Sequence, residues 1–352
     1  MDSSVKNRID WVDYAKGICI ILVVMMHSTL GVEFSAKETS WLHGFIEWAR
    51  PFRMPDFFLI SGLFLASRIN KPWRSYLDSK VLHFVYFYVL WMTIQAVLKS
   101  SSVLQTEGVL GFLKIYLTGF YEPYGTLWFI YLLAIFFVVT KQLRHVPALL
   151  VFVGAAFLEM APIDTGSMVV DEFASRYIYF FAGFWMAKYI LNYAAAVGAR
   201  SIAAIFAGLV IWSFANYVMV RSGLSIMPGI GLIMGFVGAA AVVSAGVLLA
   251  KTKLAKAIRY CGANSIVIYL AFSLFMAPTR ILLLRFMPEL DLGIVSLITT
   301  ACGVMGAISL HWVTDRTLFS FLFTRPQWAK LAKPTAQWHS ADHVKLSTVK
   351  SR

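Results

Sequence analysis

Ile18-Cys19-Ile20-Ile21-Leu22-Val23-Val24-Met25-Met26-His27 is an unbroken apolar run closed by an ionisable ring. Extended to residues 17 to 33, it has the roughly 17 to 25 residues that a helix needs to cross the hydrocarbon core of a bilayer. Nine further segments of similar character follow, at 54 to 67, 81 to 98, 127 to 140, 146 to 161, 176 to 191, 201 to 220, 228 to 250, 262 to 284 and 292 to 314. The amphipathic stretch 108 to 119 is too short to span and is expected at an interface. The fold class is therefore an all-α integral membrane protein with about ten transmembrane helices. Composition agrees: 59% of the 352 residues are hydrophobic and 14% charged, against roughly 25% charged in a soluble domain. Mean hydropathy is +0.71.

The net charge of +13 first reports topology in such a chain, because Lys and Arg collect in cytoplasmic loops. With the N-terminus placed inside, 22 of the 31 Lys and Arg fall on the inner side and 12 of the 18 acids on the outer. Both termini are expected to be cytoplasmic. The lipid bilayer is the expected partner, and nucleic acid is not. The first span follows Asp10, Asp13 and Lys16 without a small-residue cleavage site, so it reads as an uncleaved helix. Residues 1 to 323 read as one transmembrane domain and 324 to 352 as a polar cytoplasmic tail. Cys19, Cys261 and Cys302 lie in or beside apolar segments without metal-ligand spacing, so neither a disulfide framework nor a metal site is expected.

An ionisable group at mid-bilayer costs at least about 2.5 kcal/mol, which makes each one a functional candidate. His27 stands eleven residues after Lys16, close to three helical turns or about 16 Å along one face. Asp13 extends the same stripe by one turn. Such a face suits an anionic molecule held at Lys16 with its reactive end at His27, whose imidazole can act as a general base near neutral pH. The second constellation is Glu47-Trp48-Ala49-Arg50-Pro51-Phe52-Arg53-Met54-Pro55-Asp56-Phe57-Phe58-Leu59-Ile60-Ser61-Gly62. Pro51 and Pro55 predict irregular backbone here. Arg53 and Asp56 are then expected to border an outer cavity able to bind hydroxyl-rich or anionic groups. His83 and His311, near span ends, read as interfacial, and His339 with His343 as solvated tail residues.

These segments resemble the membrane acyltransferase family 3. The resemblance starts in Arg8-Ile9-Asp10-Trp11-Val12-Asp13-Tyr14-Ala15-Lys16-Gly17-Ile18 with His27, and continues in Phe52-Arg53-Met54-Pro55-Asp56-Phe57-Phe58-Leu59-Ile60-Ser61-Gly62 and Leu127-Trp128-Phe129. It ends with Tyr179-Phe180-Phe181-Ala182-Gly183, Gly262-Ala263-Asn264-Ser265-Ile266-Val267-Ile268-Tyr269-Leu270 and Arg325-Pro326-Gln327-Trp328-Ala329. It implies a multi-pass protein of the bacterial inner membrane that moves an acyl group from cytoplasmic acyl-CoA to a hydroxyl of an extracytoplasmic or lipid-linked glycan. Acetyl-CoA is the first expectation for this co-substrate and a succinyl donor the second, with no metal. His27 matches the family's essential histidine. Lys16 takes the place of a basic residue that is Arg in many members, and Arg53 stands where many have His.

The resulting candidates are His27 and Lys16 as catalytic groups, and Asp13, Arg53, Asp56, Ser61, Trp128 and Asn264 as substrate-binding groups. His27 either deprotonates the acceptor hydroxyl or carries the acyl group transiently. A transporter of a sugar-linked or anionic substrate, with no chemistry, is the alternative, and a scaffold subunit of a polysaccharide export complex is a third reading. The chain shows no inverted repeat of the kind many transporters carry.

Overall fold

The computed structural model describes residues 9 to 331, so His339, His343 and most of the expected tail lie outside the described residues. The helices are α1 Asp10–Ala36, α2 His43–Leu63, α3 Trp73–Lys80, α4 Leu82–Thr118, α5 Trp128–Gln142, α6 Ala148–Met160, α7 Met168–Trp185, α8 Ala187–Gly198, α9 Ile202–Arg221, α10 Ile230–Thr252, α11 Lys256–Ala263, α12 Ser265–Phe286 and α13 Leu292–Thr314. No strand occurs among the described residues. The protein is an all-α, multi-pass membrane protein. Among the described residues, seven helical stretches are long and apolar enough to cross a bilayer: Asp10–Ala36, Trp73–Ser100, Gly125–His145, Ile202–Arg221, Ile230–Thr252, Ser265–Phe286 and Leu292–Thr314. The other three expected spans fall in α2, which carries Glu47, Arg50, Arg53 and Asp56, in α7, which carries Asp171, Glu172 and Arg176, and in α6, which has 13 residues.

Two local expectations need correction. Residues 47 to 56 are not irregular: α2 runs through both Pro51 and Pro55. Beside the prolines, two carbonyls accept from side chains, Asn216 Nδ2 donating to Trp48 O at 2.8 Å and Arg53 to Ile46 O at 3.3 Å; the carbonyls that lose their i+4 donor are those of Glu47 and Pro51. Proline is tolerated inside a membrane helix where neighbouring helices and side chains surround it. The sixth expected span, 176 to 191, is divided at Met186, so α7 starts eight residues earlier, at Met168. By contrast, the short segment after 108 is separate as expected, because Gly108 breaks α4 with φ 67°.

At the centre lies α1, which packs against α2, α10, α11, α12 and α13. Glycines let backbones touch here: a methyl group at Gly262 would land on the Asp13 carbonyl, and one at Gly17 on the Ile258 carbonyl. The crossing of α2 and α7 works reciprocally, Gly62 facing the Phe180 carbonyl and Gly183 the Leu59 carbonyl. Small residues replace hydrophobic burial as the source of tight packing between membrane helices.

Loops at the two ends are fastened by buried charges and caps. Lys141 donates to the Ile69 and Lys71 carbonyls at 2.6 and 2.7 Å, fixing the link between α2 and α3. Arg325 pairs with Asp78 at 2.8 Å and Asp78 also accepts from the Leu331 N–H, so the segment up to Leu331 docks on α3. Near the far end of α1, Glu33 accepts from Ser40 N and Oγ, both at 2.9 Å, and contacts His43 Nδ1 at 2.8 Å.

Candidate active site

Two cavities lie along one face of α1. One, of about 360 Å³, is lined by Asp13, Lys16, Phe64, Gly262 and Ser265, among others. The other, of about 250 Å³, is lined from α1 by Ile20, Val23, Met26 and His27. Positions 13, 16, 20, 23 and 27 recur every three or four residues, which is the spacing of one helical face. Asp13 and Lys16 therefore head the stripe that ends at His27, with hydrophobic residues between.

At the Lys16 end, the ammonium stands 6.0 Å from the centre of the Phe64 ring. Lys80 of α3 lies within Coulombic reach of Lys16, Arg68 and Lys71, so four cations converge where α1, α2 and α3 begin or end. Asp13 is buried, at 7% exposure. Arg259 pairs with Asp10 at 3.1 Å and ties α11 to the start of α1.

Around His27 the walls are aromatic and cationic. Its ring packs 5.4 Å from Phe272 of α12, centre to centre, and makes no hydrogen bond among the described residues. Phe57 and Arg53 come from α2, Trp128 and Phe129 from the start of α5, Tyr269 from α12, and Met168, Glu172 and Arg176 from α7. Arg176 Nε contacts Glu172 Oε2 at 2.9 Å. Tyr269 fixes the start of α5: its hydroxyl accepts from the Phe129 N–H at 3.1 Å and donates to the Thr126 carbonyl. Trp128 consequently presents its indole to the cavity from a backbone held at two points.

The candidates from the sequence divide accordingly. Asp13 and Lys16 share one cavity, while His27, Arg53 and Trp128 share the other. Asp56 lines neither. It is fully buried between α2 and α1, where Cys19 Sγ donates to Oδ2 at 2.6 Å, and not at the border of an outer cavity as the sequence suggested. From the continuous α2 it faces α1, where the Cys19 thiol engages it. Ser61 bonds its own helix, donating to the Phe57 carbonyl at 2.8 Å, and lines neither cavity. Asn264 likewise donates to the Tyr260 carbonyl at 2.9 Å at the junction of α11 and α12, and its neighbour Ser265 lines the cavity in its place.

Glu172, Arg176 and Tyr269 were missed. The i, i+4 pairing of Glu172 with Arg176 at the start of a span was the available signal for the first two. Among the described residues no three His, Cys, Asp or Glu side chains gather as a metal-binding group.

A family model described as an acyltransferase domain matches residues 9–315. Inner membrane protein YcfT of Escherichia coli (strain K12) is 27% identical over 159 residues, covering 39% of this chain and 44% of that protein. Nodulation protein NolL of Mesorhizobium japonicum is 26% identical over 155 residues, covering 43% of this chain and 41% of that protein. The chain thus aligns with under half the length of each of these relatives. No solved structure matches it.

Proposed function

The chain belongs to this acyltransferase family, and from that premise we propose that it is an O-acyltransferase taking an acyl group from cytoplasmic acyl-CoA to a hydroxyl of an extracytoplasmic or lipid-linked glycan. Acetyl is the first choice of acyl group and succinyl the second. The observation that carries the reading is the α1 stripe, with Lys16 in one cavity and His27 in the other. The Lys16 end is assigned to the cytoplasm of a bacterial inner membrane, supported by the excess of Lys and Arg on that side.

In this reading, Lys16 with Arg68, Lys71 and Lys80 attracts the phosphates of CoA, each as a compact point charge. The pantetheine arm lies along Ile20 and Val23 and brings the thioester to His27. The uncharged imidazole takes the proton of the acceptor hydroxyl as its oxygen attacks the thioester carbonyl. The C–S bond then breaks, and the proton passes from the imidazolium to the departing CoA thiolate. Trp128 offers a flat face to a sugar ring.

The test is His27→Ala in the full-length protein. The expected result is normal insertion with no acylated glycan by mass spectrometry, and acylation at the wild-type rate overturns the reading. Membranes given labelled acyl-CoA separate it from transport, since label on glycan supports transfer and label that only crosses supports the transporter.

A further inference from the structure

Arg53 is a buried cation with few partners. It is 7% exposed, and no carboxylate stands within ion-pair distance of it among the described residues. One terminal nitrogen donates to the Ile46 carbonyl at 3.3 Å and the other contacts the Met26 sulfur at 3.1 Å, a weak acceptor. Nε is buried without a hydrogen-bond partner. A charge buried on these terms is costly unless something else compensates it. Its own helix does so only at a distance: Asp56 is engaged by Cys19, and Glu47, within Coulombic reach of Arg53, contacts Arg50 at 3.4 Å.

The facing helix adds a second positive group. Arg176 lines the same cavity, within Coulombic reach of Arg53, and shares it with the single carboxylate of Glu172. The lining of the His27 cavity therefore holds two guanidinium groups and one carboxylate, while Glu47 lies within Coulombic reach of Arg53 and Glu159 of Arg176 from outside the lining. The rest of the lining is largely apolar.

We infer that this cavity takes a substrate bearing a carboxylate, held by the uncommitted N–H groups of Arg53 with Arg176 beside it, next to the His27 ring. The inference rests on the acyl-transfer reading above and narrows its substrate class. A planar guanidinium fork matches the two oxygens of a carboxylate and supplies charge-assisted hydrogen bonds where water is scarce. The carboxylate has two chemical sources. It is either the free end of a dicarboxylic half-acyl group such as succinyl, or an acidic sugar of the acceptor.

Full-length protein in lipid nanodiscs is assayed with acetyl-CoA and succinyl-CoA on a neutral glucan oligosaccharide, and with acetyl-CoA on a glucuronate-bearing oligosaccharide. A preference of at least about tenfold in kcat/KM for succinyl-CoA assigns the carboxylate to the acyl group, and one for the glucuronate acceptor assigns it to the glycan. Arg53→Gln is expected to lower kcat/KM for the charged pair at least about tenfold more than for its uncharged counterpart, with partial recovery in Arg53→Lys. A wild-type preference for the uncharged pair, or equal losses in Arg53→Gln, overturns the inference. A second measurement needs no turnover: succinate and glucuronate, but not dimethyl succinate or glucose, are expected to raise the thermal midpoint of wild type and not of Arg53→Gln. No shift, or a shift with inorganic phosphate alone, overturns it. Wild-type acylation by His27→Ala, with that shift intact, would sink the transfer mechanism and leave the carboxylate site standing.

Discussion

Cys19 donates its Sγ–H to Asp56 Oδ2 across 2.6 Å, joining α1 to α2 at a point where both residues are fully buried. Oδ1 of the same carboxyl has no partner. Cys19→Ala removes the remaining donor, and the expected loss is about 1 to 3 kcal/mol. Cys19→Ser keeps a hydroxyl donor and should recover most of it. Thermal unfolding in detergent measures both, and equal losses would show that the bond contributes nothing.

Lys16→Gln removes one of four converging cations. If these groups hold CoA, KM for acyl-CoA rises by about tenfold while kcat changes little, in line with about 1.5 kcal/mol for a hydrogen bond to a charged group. The wild-type KM should also climb with salt. A fall in kcat with unchanged KM would remove Lys16 from donor binding.

Tyr269→Phe takes away the group that accepts from the Phe129 N–H and donates to the Thr126 carbonyl. Backbone groups left buried and unpaired cost about 1 to 3 kcal/mol. A loosened start of α5 also displaces Trp128, so KM for the glycan should rise more than KM for acyl-CoA. Equal changes in both would reduce Tyr269 to a purely structural tie.

Gly262→Ala drives a methyl group into the Asp13 carbonyl, whereas nothing lies within 4 Å of where a methyl at Gly154 would sit. Overpacking of this kind costs about 1 to 3 kcal/mol. Gly262→Ala should lower the yield of monodisperse protein in size-exclusion chromatography, and Gly154→Ala should match wild type.

Asp291 caps α13, accepting from the Ile294 N–H at 3.0 Å and the Trp41 indole at 2.8 Å. First the Ile294 N–H and then the Trp41 bond hold its carboxyl below the usual carboxylate range. A carboxylate with a depressed folded-state pKa stabilises above its unfolded pKa, near 3.9, and that contribution is lost as pH falls through the folded value. Wild type should exceed Asp291→Asn in thermal midpoint at pH 6, and the gap should close below pH 4. A gap independent of pH would assign the effect to the hydrogen bonds and not to the charge.

The α1 stripe could be read from sequence because polar residues at helical spacing stand out in an apolar run, and the stretch 108 to 119 stood apart by its own length and amphipathic pattern. Glu172 and Arg176 escaped because apolar content, which locates a span, is low over the first turns of α7. Proline misled at α2, because a helix packed among others in a membrane protein runs through Pro51 and Pro55. Asp56 was misplaced because its partner, Cys19, lies 37 positions away on another helix. Tyr269 acts on a backbone 140 positions away, and nothing in its own segment signals that partner.

The central position of α1 has a consequence for how the molecule is made. Of the helices that enclose it, only α2 follows at once, while α10 to α13 begin at Ile230. With about 200 residues between them and synthesis at roughly 5 to 20 residues per second, α1 waits roughly 10 to 40 s for most of its neighbours. During that interval Asp13, Lys16 and His27 face lipid, translocon or partly formed helices instead of their final surroundings. The face that carries the candidate chemistry is thus synthesised well before most of the helices that enclose it.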